Sequence, residues 1–579
     1  MSRTRTLTTV LGVAVLGATA ALTTGAPAEA VPTSATTLVV NANQTLRPVT
    51  HVATGSLYGL ADASTPSDSL VSALKPNTFV QMAPGGSQLP NGEPRPAGDA
   101  LVVAPKAARA GAKVVVRMPD WYPNFPYKWV SWSDWLSAVD KQVASVQASG
   151  ATNISAYELW NEPDWTWDTT NAGAFDAGWA RTYKEVRAKD TTTPIQGPSY
   201  SAWNQSWFSS FLTDAKASGT VPDVIAWHEL NGSKDIAAHV SAYRSLESSL
   251  GISPRPIAIE EYGTPSEMGN SGALIGYAAK FERAGVRDAE LAFWNHYGTL
   301  GDTLTDTGAS PNGSYWTYKW YGDMSGNMLV TTPPATTGID GLASRNSAGN
   351  QISVIAGGCA GSCAVTVNGL SSLSAFGSTV HVKLEYSPGT GRTTASPGPI
   401  TISDADYAVS GGSVTVPVTM NATDGYHLVI TPSGTNTSLA GRYQITNKNS
   451  GLALDTLNAG TAQGASVVQA TSTTGTDQNW TLAAAGSGLY KIVNQKSGLL
   501  LGINTMSTAD GGTALIWGDN GTADHLWQLI PTPDGNYKIA NYNSGLLLGV
   551  DQMSTSSGAQ VLQWTDNGTA DHLWRLTAR

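Results

Sequence analysis

Two sequence patterns alternate eight times between about residues 53 and 298, and this alternation constrains the fold more than any other feature. Each repeat has a short apolar run, a polar or aromatic stretch, and then a segment whose apolar residues recur every three or four positions. The runs are GSLYGLAD (55–62), TFVQMAP (78–84), KVVVRMPDW (113–121), AYELWNEP (156–163), PIQGPSY (194–200), VIAWHEL (224–230), PIAIEEYG (256–263) and ELAFWNHYG (290–298). Eight strand-helix units in about 250 residues predict a (β/α)₈ TIM barrel, which we place at residues 40–320. An open doubly wound sheet would need a phosphate-binding glycine turn after the first strand, and none is visible.

The N-terminus has the pattern of a secretory signal peptide. MSRTRT precedes the apolar run LTTVLGVAVLGATAAL, and Ala28-Glu29-Ala30 supplies the small residues of a cleavage site. The alternative is a membrane anchor, but the apolar run is short for a bilayer. We therefore expect residues 1–30 to be removed and the protein to be secreted and extracellular.

Composition excludes several classes of partner. The net charge is −10 and only 13% of residues are charged, with no cluster of Lys or Arg, so nucleic acid is not expected as a partner. No later segment is long and apolar enough to predict membrane insertion, and nothing indicates a protein partner. The eight histidines are scattered without ligand spacing, so we expect no catalytic metal and no cofactor. Cys359 and Cys363 are the only cysteines, and in an oxidising compartment we expect them to form a disulfide.

The chain changes character after the eighth run. From 321 to 432, segments such as ISVIAG, TVHVKLEY and GSVTVPVTM alternate apolar and polar residues between Gly, Ser and Pro turns, which predicts a β-sandwich. The early run TTLVVNAN, near residue 40, is a candidate extra strand for it. Residues 433–439, within TPSGTNTS and its surroundings, are typical of a flexible linker.

The last 140 residues, 440–579, contain an internal repeat. Tyr443, Tyr490 and Tyr537 open three similar segments, and Trp480, Trp527 and Trp574 close them, with a spacing of 47 residues in both series. Three copies of a short all-β unit predict a pseudo-threefold domain whose closing tryptophans share one core. The predicted architecture is thus multidomain: TIM barrel, β-sandwich and C-terminal trefoil.

This repeat resembles the ricin-type β-trefoil lectins, which serve as carbohydrate-binding modules on many secreted enzymes. The Q-x-W motif of that family is present as QNW in the first copy and is HLW in the other two. In the family, each lobe holds a sugar between an acidic or amide residue, an aromatic platform and a later Asn. The resemblance implies binding at Asn504, Trp517 and Asn520 in the second lobe and at Asp551, Trp564 and Asn567 in the third. The first lobe has Asp455 but Ala470 at the platform position, so we expect it to bind weakly or not at all.

Two predicted barrel strands end in carboxylates. Glu162 follows the fourth strand, and the pair Glu260-Glu261 ends the seventh. Because catalytic residues of such barrels lie at the C-terminal ends of strands, these groups can face one another across the barrel mouth. One protonated and one ionised carboxyl group at such a site are what hydrolysis of a glycosidic bond requires. A lone glutamate at a strand end is more often solvated or salt-bridged, but two at these strand positions favour catalysis.

WNEP on the fourth strand and EYG on the seventh resemble glycoside hydrolase clan A, and the barrel-plus-sandwich layout is most similar to family 39. The resemblance implies that Glu162 is the general acid/base, Glu261 the nucleophile of a retaining reaction, and Asn161 the contact to the substrate 2-hydroxyl. Retention predicts carboxyl groups about 5 Å apart. Strand alternation predicts that Glu260 points away from the pocket, into a structural ion pair. Glu158, deeper on the same strand, is expected to orient its neighbours.

Further residues near the strand ends are candidates for sugar recognition. They are Arg117, Asp120, Trp165, Trp167, His228, Glu229 and Trp294, with Tyr58, Asn295 and His296 beside them. The clan resemblance implies that Trp294 forms the floor of the sugar subsite, while His228 is equally compatible with a supporting role. Trp165 and Trp167 are expected to stack on sugar. Trp129, Trp132 and Trp135 have the spacing of one helix face, which favours packing, as does the position of Trp160 inside its strand.

Together these features predict a secreted retaining glycoside hydrolase that cleaves plant-type polysaccharides or their side chains. Arabinose-, galactose- or xylose-containing glycans such as arabinogalactan are favoured, and the trefoil would bind the polysaccharide or oligosaccharide. Alternatives are an endo-acting mannanase, xylanase or glucanase with the same catalytic layout, a transglycosylase, and a non-catalytic carbohydrate-binding protein. The last would be indicated by a missing catalytic carboxylate, and both are present.

Overall fold

The computed structural model of the chain describes residues 34–305, 310–433, 439–486, 489–532 and 534–579. The predicted signal peptide and residues 434–438 of the predicted linker lie outside these ranges. Within them, no helix combines the length and apolar character needed to cross a membrane.

The first described strand, β1 (Thr37–Pro48), precedes a closed parallel barrel. The barrel strands are β2 (Gly55–Leu57), β3 (Thr78–Met82), β4 (Lys113–Arg117), β5 (Ile154–Glu158), β6 (Ile195–Tyr200), β7 (Val224–Glu229), β8 (Ile257–Tyr262) and β9 (Asp288–Leu291). Each strand pairs with its sequence neighbour, and β9 closes on β2. The predicted (β/α)₈ barrel is confirmed, and its strands begin at Gly55 because residues 37–48 pair elsewhere.

Helices follow the barrel strands and cover the outer face of the barrel. They are α1 (Asp68–Ala73), α2 (Ala100–Arg109), α3 (Trp132–Ser149), α4 (Pro163–Thr166), α5 (Thr169–Ala172), α6 (Phe175–Lys189), α7 (Gln205–Ser218), α8 (Ile236–Ser249), α9 (Ser271–Ala284) and α10 (Gly313–Asp323). In α3, the Ser131 hydroxyl caps the first turn by accepting from the Asp134 amide. Gly150, with φ 69°, ends this helix in the left-handed conformation that glycine adopts without strain. Trp135 and Val139 lie on its buried face.

A nine-stranded sheet packs beside the barrel. Its further strands are β10 (Asn327–Thr332), β11 (Asp340–Arg345), β12 (Ile352–Gly357), β13 (Gly361–Asn368), β14 (Thr379–Ser387), β15 (Ile400–Ala408), β16 (Val414–Met420) and β17 (Gly425–Pro432), in the order β15-β14-β17-β12-β11-β10-β1-β13-β16. The sheet curls so that both ends share one apolar core, which gives the packing expected of a sandwich. Strand β1 pairs with β10 and β13, as the run TTLVVNAN suggested. Cys359 and Cys363 form the predicted disulfide at the start of β13.

Helix α9 joins the barrel to this sheet through buried charge. Lys280 Nζ and Arg283 Nη2 lie 2.9 and 2.8 Å from the same oxygen of Asp340 on β11. Asp340 is 4% exposed, so these two cations compensate the cost of burying its carboxylate. The nine-stranded sheet therefore braces one side of the barrel.

The C-terminal domain is the predicted trefoil. Its strands are β18 (Gly441–Asn447), β19 (Ala453–Thr456), β20 (Val467–Ala470), β21 (Asn479–Gly486), β22 (Leu489–Asn494), β23 (Leu500–Ile503), β24 (Ala514–Trp517), β25 (Trp527–Pro531), β26 (Tyr537–Asn541), β27 (Leu547–Val550), β28 (Val561–Trp564) and β29 (Leu573–Ala578). The three repeat tryptophans Trp480, Trp527 and Trp574 are all fully buried in one core, as predicted. Each donates its indole N–H to a backbone carbonyl 26 residues earlier in the chain.

Candidate active site

Glu162 stands where the chain leaves β5 and turns sharply into α4. Its backbone has φ 52° and ψ 51°, a left-handed conformation that is uncommon for any residue except glycine, and Pro163 begins the helix directly after it. The Glu162 amide donates to the carbonyl of Ser199 at 2.8 Å, which holds this turn against β6. Strained backbone of this kind occurs where the surrounding structure fixes a functional side chain. The turn aims the Glu162 carboxyl group into the barrel mouth.

A bulge in β8 places Glu260 and Glu261 on the same side of the strand. In the pairing of β7 with β8, Trp227 lies opposite Ile259 and His228 lies opposite Glu261, so Glu260 is the extra residue. The prediction that strand alternation turns Glu260 outward into an ion pair is therefore wrong. Glu260 is completely buried and accepts a hydrogen bond from Gln196 Nε2 at 2.6 Å.

Arg117 links Glu261 to a deeper carboxylate. Its Nη1 lies 2.7 Å from Glu261 Oε1 and its Nε lies 2.8 Å from Glu158 Oε2. Arg117 is 2% exposed, so the prediction of direct substrate contact is replaced by a role in holding these two carboxyl groups. Burial raises the pKa of Glu261, but His228 and Arg117 outweigh burial and hold it below the usual value. Glu158 orients Arg117, as expected of it.

His228 lies between the two glutamates. Its Nδ1 is 3.2 Å from Glu162 Oε1, and its Nε2 is 3.8 Å from Glu261 Oε1. The ring is completely buried. Burial lowers the pKa of His228, but Glu261 and Glu162 outweigh it and the net shift is upward. One nitrogen or oxygen atom from each of Glu162, His228 and Glu261 lies within 4.8 Å of the others, so one oxygen of each carboxyl group approaches the other to that distance or less.

Such a trio of side chains has the composition of a metal site, but the charge around it is already balanced. The Glu261 oxygen nearest His228 receives the Arg117 guanidinium at 2.7 Å. A metal ion bound by that oxygen would face a buried positive charge at close range, which is strongly unfavourable. The prediction of no catalytic metal stays a prediction.

Two expected substrate contacts are directed elsewhere. Trp167 is 7% exposed, donates its indole N–H to the Gly173 carbonyl and packs against Trp160, with ring centroids 4.8 Å apart. Glu229, next to His228 on β7, points to the outer face, where it accepts from Trp227 Nε1 and contacts His239. Both predictions are corrected, because these side chains are enclosed by the helices outside the barrel.

Trp165 differs sharply from Trp167 although only one residue separates them. Its side chain is 53% exposed, and its indole N–H donates to Glu162 Oε2 at 2.9 Å. Phe125 meets its ring edge-on at 5.2 Å. Trp165 is therefore a wall of the barrel mouth that also orients Glu162.

Asp120 is completely buried, so the prediction that it contacts sugar is not supported by its position. Its two oxygens accept hydrogen bonds from the hydroxyls of Tyr58 and Tyr127. Burial raises the pKa of Asp120 to about 6, against the lowering effect of Arg117. Tyr127, with Gln88 bonded to Tyr58, completes a network that the sequence analysis missed, since neither residue belongs to a motif.

Asn161 directly precedes Glu162, and Trp294 follows β9; their predicted contacts to sugar stay predictions. Asn161 is 2% exposed, and its Oδ1 has no hydrogen-bond partner among the described residues. Trp294, half-buried after β9, donates its indole N–H to the Gly263 carbonyl, two residues beyond Glu261. The ring is thereby fixed beside the β8 terminus. Trp129, Trp132 and Trp135 pack with Trp160 and Trp167 in one aromatic cluster, as their spacing favoured.

The loop of residues 83–98, after β3, was not singled out from the sequence but closes one side of the barrel mouth. Glu93 bonds His296 and Arg95 Nε donates to the Tyr297 hydroxyl at 3.1 Å. Asn91 Nδ2 reaches the Phe293 carbonyl at 3.5 Å. Pairs of residues about 200 positions apart leave no local signal in a single sequence, which is why this contact was missed.

The trefoil sites require a correction of register. The carbonyls that receive the three core indoles belong to Leu454, Leu501 and Leu548, so these residues are equivalent. Asp455 therefore corresponds to Gly502 and Gly549. Asn504 and Asp551 correspond instead to Leu457, so neither of these two positions carries an acidic or amide residue in all three lobes.

The β23–β24 hairpin separates the predicted sugar ligands of the second lobe. Trp517 pairs with Leu500, whereas Asn504 follows Ile503 at the opposite end of the hairpin, roughly 13 Å along the strand. The His525 ring covers the space between: its Cδ2 would come within 2.3 Å of a Cβ at Gly502. The third lobe repeats this arrangement with His572 and Gly549. Asn504 and Asp551 therefore do not lie beside the platform residues Trp517 and Trp564.

The platforms themselves are exposed, as sugar stacking requires. Trp517 and Trp564 are 41% and 42% exposed, respectively. Asn520 and Asn567 lie three residues after these tryptophans, in exposed turns. The side-chain oxygen of each accepts a hydrogen bond from the hydroxyl of the threonine two residues later, Thr522 or Thr569. These four residues stay together as candidate sugar-binding groups.

Comparison with known proteins agrees with this architecture. Residues 128–276 match the model of the glycosyl hydrolase catalytic core, and residues 426–517 and 523–579 match the ricin-type beta-trefoil lectin domain-like family. N2152 from Neocallimastix frontalis, a solved structure, is 35% identical over 69% of this chain and 99% of its own, with a TM-score of 0.65. The chain belongs to the same family as N2152. It carries a glycosyl hydrolase catalytic core followed by a ricin-type lectin domain.

Two curated relatives come from bifidobacteria. The 3-O-alpha-D-galactosyl-alpha-L-arabinofuranosidase of Bifidobacterium longum subsp. longum is 29% identical over 65% of this chain and 39% of its own. The 3-O-beta-L-arabinopyranosyl-alpha-L-arabinofuranosidase of Bifidobacterium pseudocatenulatum is 28% identical over 66% of this chain and 46% of its own. The chain therefore spans less than half the length of either relative.

Proposed function

We propose that this chain is a secreted retaining glycoside hydrolase that removes arabinose-linked units from the side chains of plant-type polysaccharides. The observation that carries the mechanism is the convergence of Glu162 and Glu261, with carboxylate oxygens within 4.8 Å of one another. Retaining enzymes hold their two carboxyl groups about 5–5.5 Å apart, whereas inverting enzymes leave about 6.5–9.5 Å for a water molecule. The match to a glycosyl hydrolase catalytic core supports the same reaction class.

The surroundings of the two glutamates suit different roles. Arg117 and His228 keep Glu261 ionised, as a nucleophile must be when it attacks the anomeric carbon. Glu162 sits under the Trp165 indole at the open side and is placed to give its proton to the leaving oxygen, then to take a proton from water in the second step. Asn161, with its unpartnered Oδ1, is the proposed contact to the sugar 2-hydroxyl. Trp294 is the proposed floor of the subsite.

The proposed substrate class rests on the two bifidobacterial relatives, whose names describe arabinofuranosidases that act on units substituted at O3 with galactose or arabinopyranose. The trefoil would hold the enzyme on the polysaccharide through Trp517 and Trp564, by stacking on the C–H faces of sugars.

The test uses the full chain on arabinogalactan and on nitrophenyl arabinofuranosides with and without a 3-O-galactosyl or 3-O-arabinopyranosyl group. On arabinogalactan, which decides the test because its leaving oxygen must be protonated, Glu162→Gln and Glu261→Gln should each lower kcat/KM by more than about 10³-fold, since each removes a group that acts only in the reaction. Glu185→Gln, at a partly exposed glutamate of helix α6 away from the barrel mouth, is the control and should retain activity. Proton NMR of the first product should show the same anomer as the substrate. Inversion of the anomer, or full activity in either site variant, would refute the proposal.

A further inference from the structure

A third carboxyl group lies in the barrel interior beneath the two proposed catalytic glutamates. The β8 bulge turns Glu260 inward, where it is completely buried. Its Oε1 accepts from Gln196 Nε2 at 2.6 Å. Its Oε2 has no hydrogen-bond partner among the described residues and lies 4.0 Å from His228 Nε2. A buried polar atom without a partner is rare in native proteins and calls for a functional explanation.

The nitrogen that Glu260 faces is also without a partner. Among the described residues, His228 Nε2 makes no hydrogen bond, whereas Nδ1 contacts Glu162. Three carboxyl groups thus surround one imidazole: Glu162 at Nδ1, and Glu261 and Glu260 both within 4.0 Å of Nε2. The charge of the ring therefore depends on which of these groups is ionised.

The cations around Glu260 are occupied by other groups. Arg117 forms ion pairs with Glu158 and Glu261. Arg287 bonds the amide oxygen of Gln196, with Nη2 2.9 Å from Oε1, and does not reach Glu260 itself. Burial raises the pKa of Glu260, while Arg117, His228 and the side chains of Ser199 and Gln196 oppose this effect. With no cation in hydrogen-bond contact, a negative charge on Glu260 acts at longer range, on Arg117 and His228 and on the carboxyl groups of Glu158 and Glu290.

We propose that Glu260 is a positioning residue that acts through His228 on the proton shared between His228 and Glu162. An ionised Glu260 lies 4.0 Å from Nε2 and favours the imidazolium form of His228. The imidazolium N–H at Nδ1 donates to the Glu162 carboxyl group, 3.2 Å away. Glu260 thereby sets the pH range over which His228 keeps that proton. The kinetic part of this inference rests on the proposed function, whereas its effect on His228 does not.

Glu290 on β9 offers a matched control. It is 1% exposed in the same barrel interior, and neither of its carboxyl oxygens has a hydrogen-bond partner among the described residues. Burial also raises its pKa, and Asp288 and Glu260 add to that rise. No ion pair among the described residues joins it to His228. A general effect of neutralising a buried carboxyl group should therefore appear in both variants, and a specific effect only at Glu260.

The first experiment measures the titration of His228 directly. Spectra of the ¹⁵N-histidine-labelled full chain are recorded against pH for the wild type, Glu260→Gln and Glu290→Gln, and the His228 signals are identified by their loss in His228→Gln. Glu260→Gln should lower the His228 pKa by about 1 unit, because an opposite charge at this range shifts a pKa by about 1–3 units. Glu290→Gln should not lower it, because Glu290 acts on Glu260 and makes no ion pair with His228 among the described residues. Equal shifts in both variants, or none in Glu260→Gln, would overturn the proposal whether or not the chain cleaves a glycoside.

The second experiment tests the kinetic consequence. Glu260→Gln should move the basic limb of the kcat/KM profile to lower pH by the same amount as the His228 pKa, with KM little changed. Glu260→Asp keeps the carboxylate and should return the limb toward its wild-type position, and it also serves if Glu260→Gln does not fold. A basic limb of kcat/KM that stays at the wild-type pH in both variants would contradict the role of Glu260.

Discussion

The barrel mouth and the trefoil present their aromatic and polar residues in opposite ways. At the barrel mouth, Arg117 and His228 are buried and contact the glutamates, whereas in the trefoil Trp517 and Trp564, each the last residue of its strand, are more than 40% exposed. Catalysis requires charges in a water-poor site where electrostatic interactions are strong. Stacking on a polymer requires only an accessible ring face. The difference indicates that the mouth is built for chemistry and the trefoil for attachment.

The largest expected effect contrasts the neighbouring tryptophans Trp165 and Trp167. Trp167→Ala should lower the free energy of unfolding by about 3–5 kcal/mol, because it opens a cavity in the aromatic cluster with Trp160. Trp165→Ala should change stability by less than about 1 kcal/mol, since its ring is half exposed, but should reduce kcat. Urea unfolding and initial rates on the same preparations separate the two. A stable Trp167→Ala with impaired activity would return Trp167 to the substrate-binding surface.

The second-largest expected effect concerns the trefoil tryptophans Trp517 and Trp564. In the inactive Glu162→Gln background, replacing Trp517 and Trp564 together by Ala should weaken retention on arabinogalactan about 10- to 100-fold, from about 0.5–1.5 kcal/mol per aromatic contact. In the active chain, the same pair should leave kcat/KM on a small nitrophenyl glycoside unchanged. Affinity electrophoresis measures the first and a rate assay the second.

The matched control for this prediction is the pair Asn504→Ala and Asp551→Ala, which the register places away from the platforms. These substitutions should leave retention unchanged. If they abolish retention as the tryptophan variants do, the corrected lobe register is not the one that binds sugar.

The smallest effect concerns the buried charge beside the nucleophile. Arg117→Lys loses the fork that joins Glu261 to Glu158, so the pKa of Glu261 should rise toward its ordinary value. Glu261 is active in its ionised form. Because its pKa is lowered, it stays ionised, and the enzyme stays active, at every pH above the acid limb. The acid limb of kcat/KM should therefore move to higher pH by about 1 unit, a roughly tenfold loss on that limb. An unmoved acid limb would show that Arg117 does not control Glu261.

Local patterns in the sequence identified which residues meet at the barrel mouth. They predicted less well which way the side chains of those residues point. Glu162 and Glu261 could be found because strand ends of a barrel converge at one face. Glu260 could not be oriented, since a one-residue bulge in β8 shifts the register and reverses the face that alternation assigns. Glu229 follows ordinary alternation, which turns it away from the face of His228, so its orientation was within reach of the sequence. The trefoil register was also within reach of the sequence: a step of 47 residues from Asp455 gives Gly502, and from Leu457 gives Asn504.

By itself, the sequence determined the barrel, the all-β region after it, the threefold trefoil and the two candidate glutamates, because hydrophobic periodicity, repeat spacing and short motifs can be read along the chain. Tertiary structure decided that Arg117 clamps Glu261, that Trp165 is open while Trp167 is closed, and that Glu260 lies under His228. These outcomes depend on side chains from distant segments that share one interior. Burial and charge are properties of that shared space, and periodicity along a strand does not encode them.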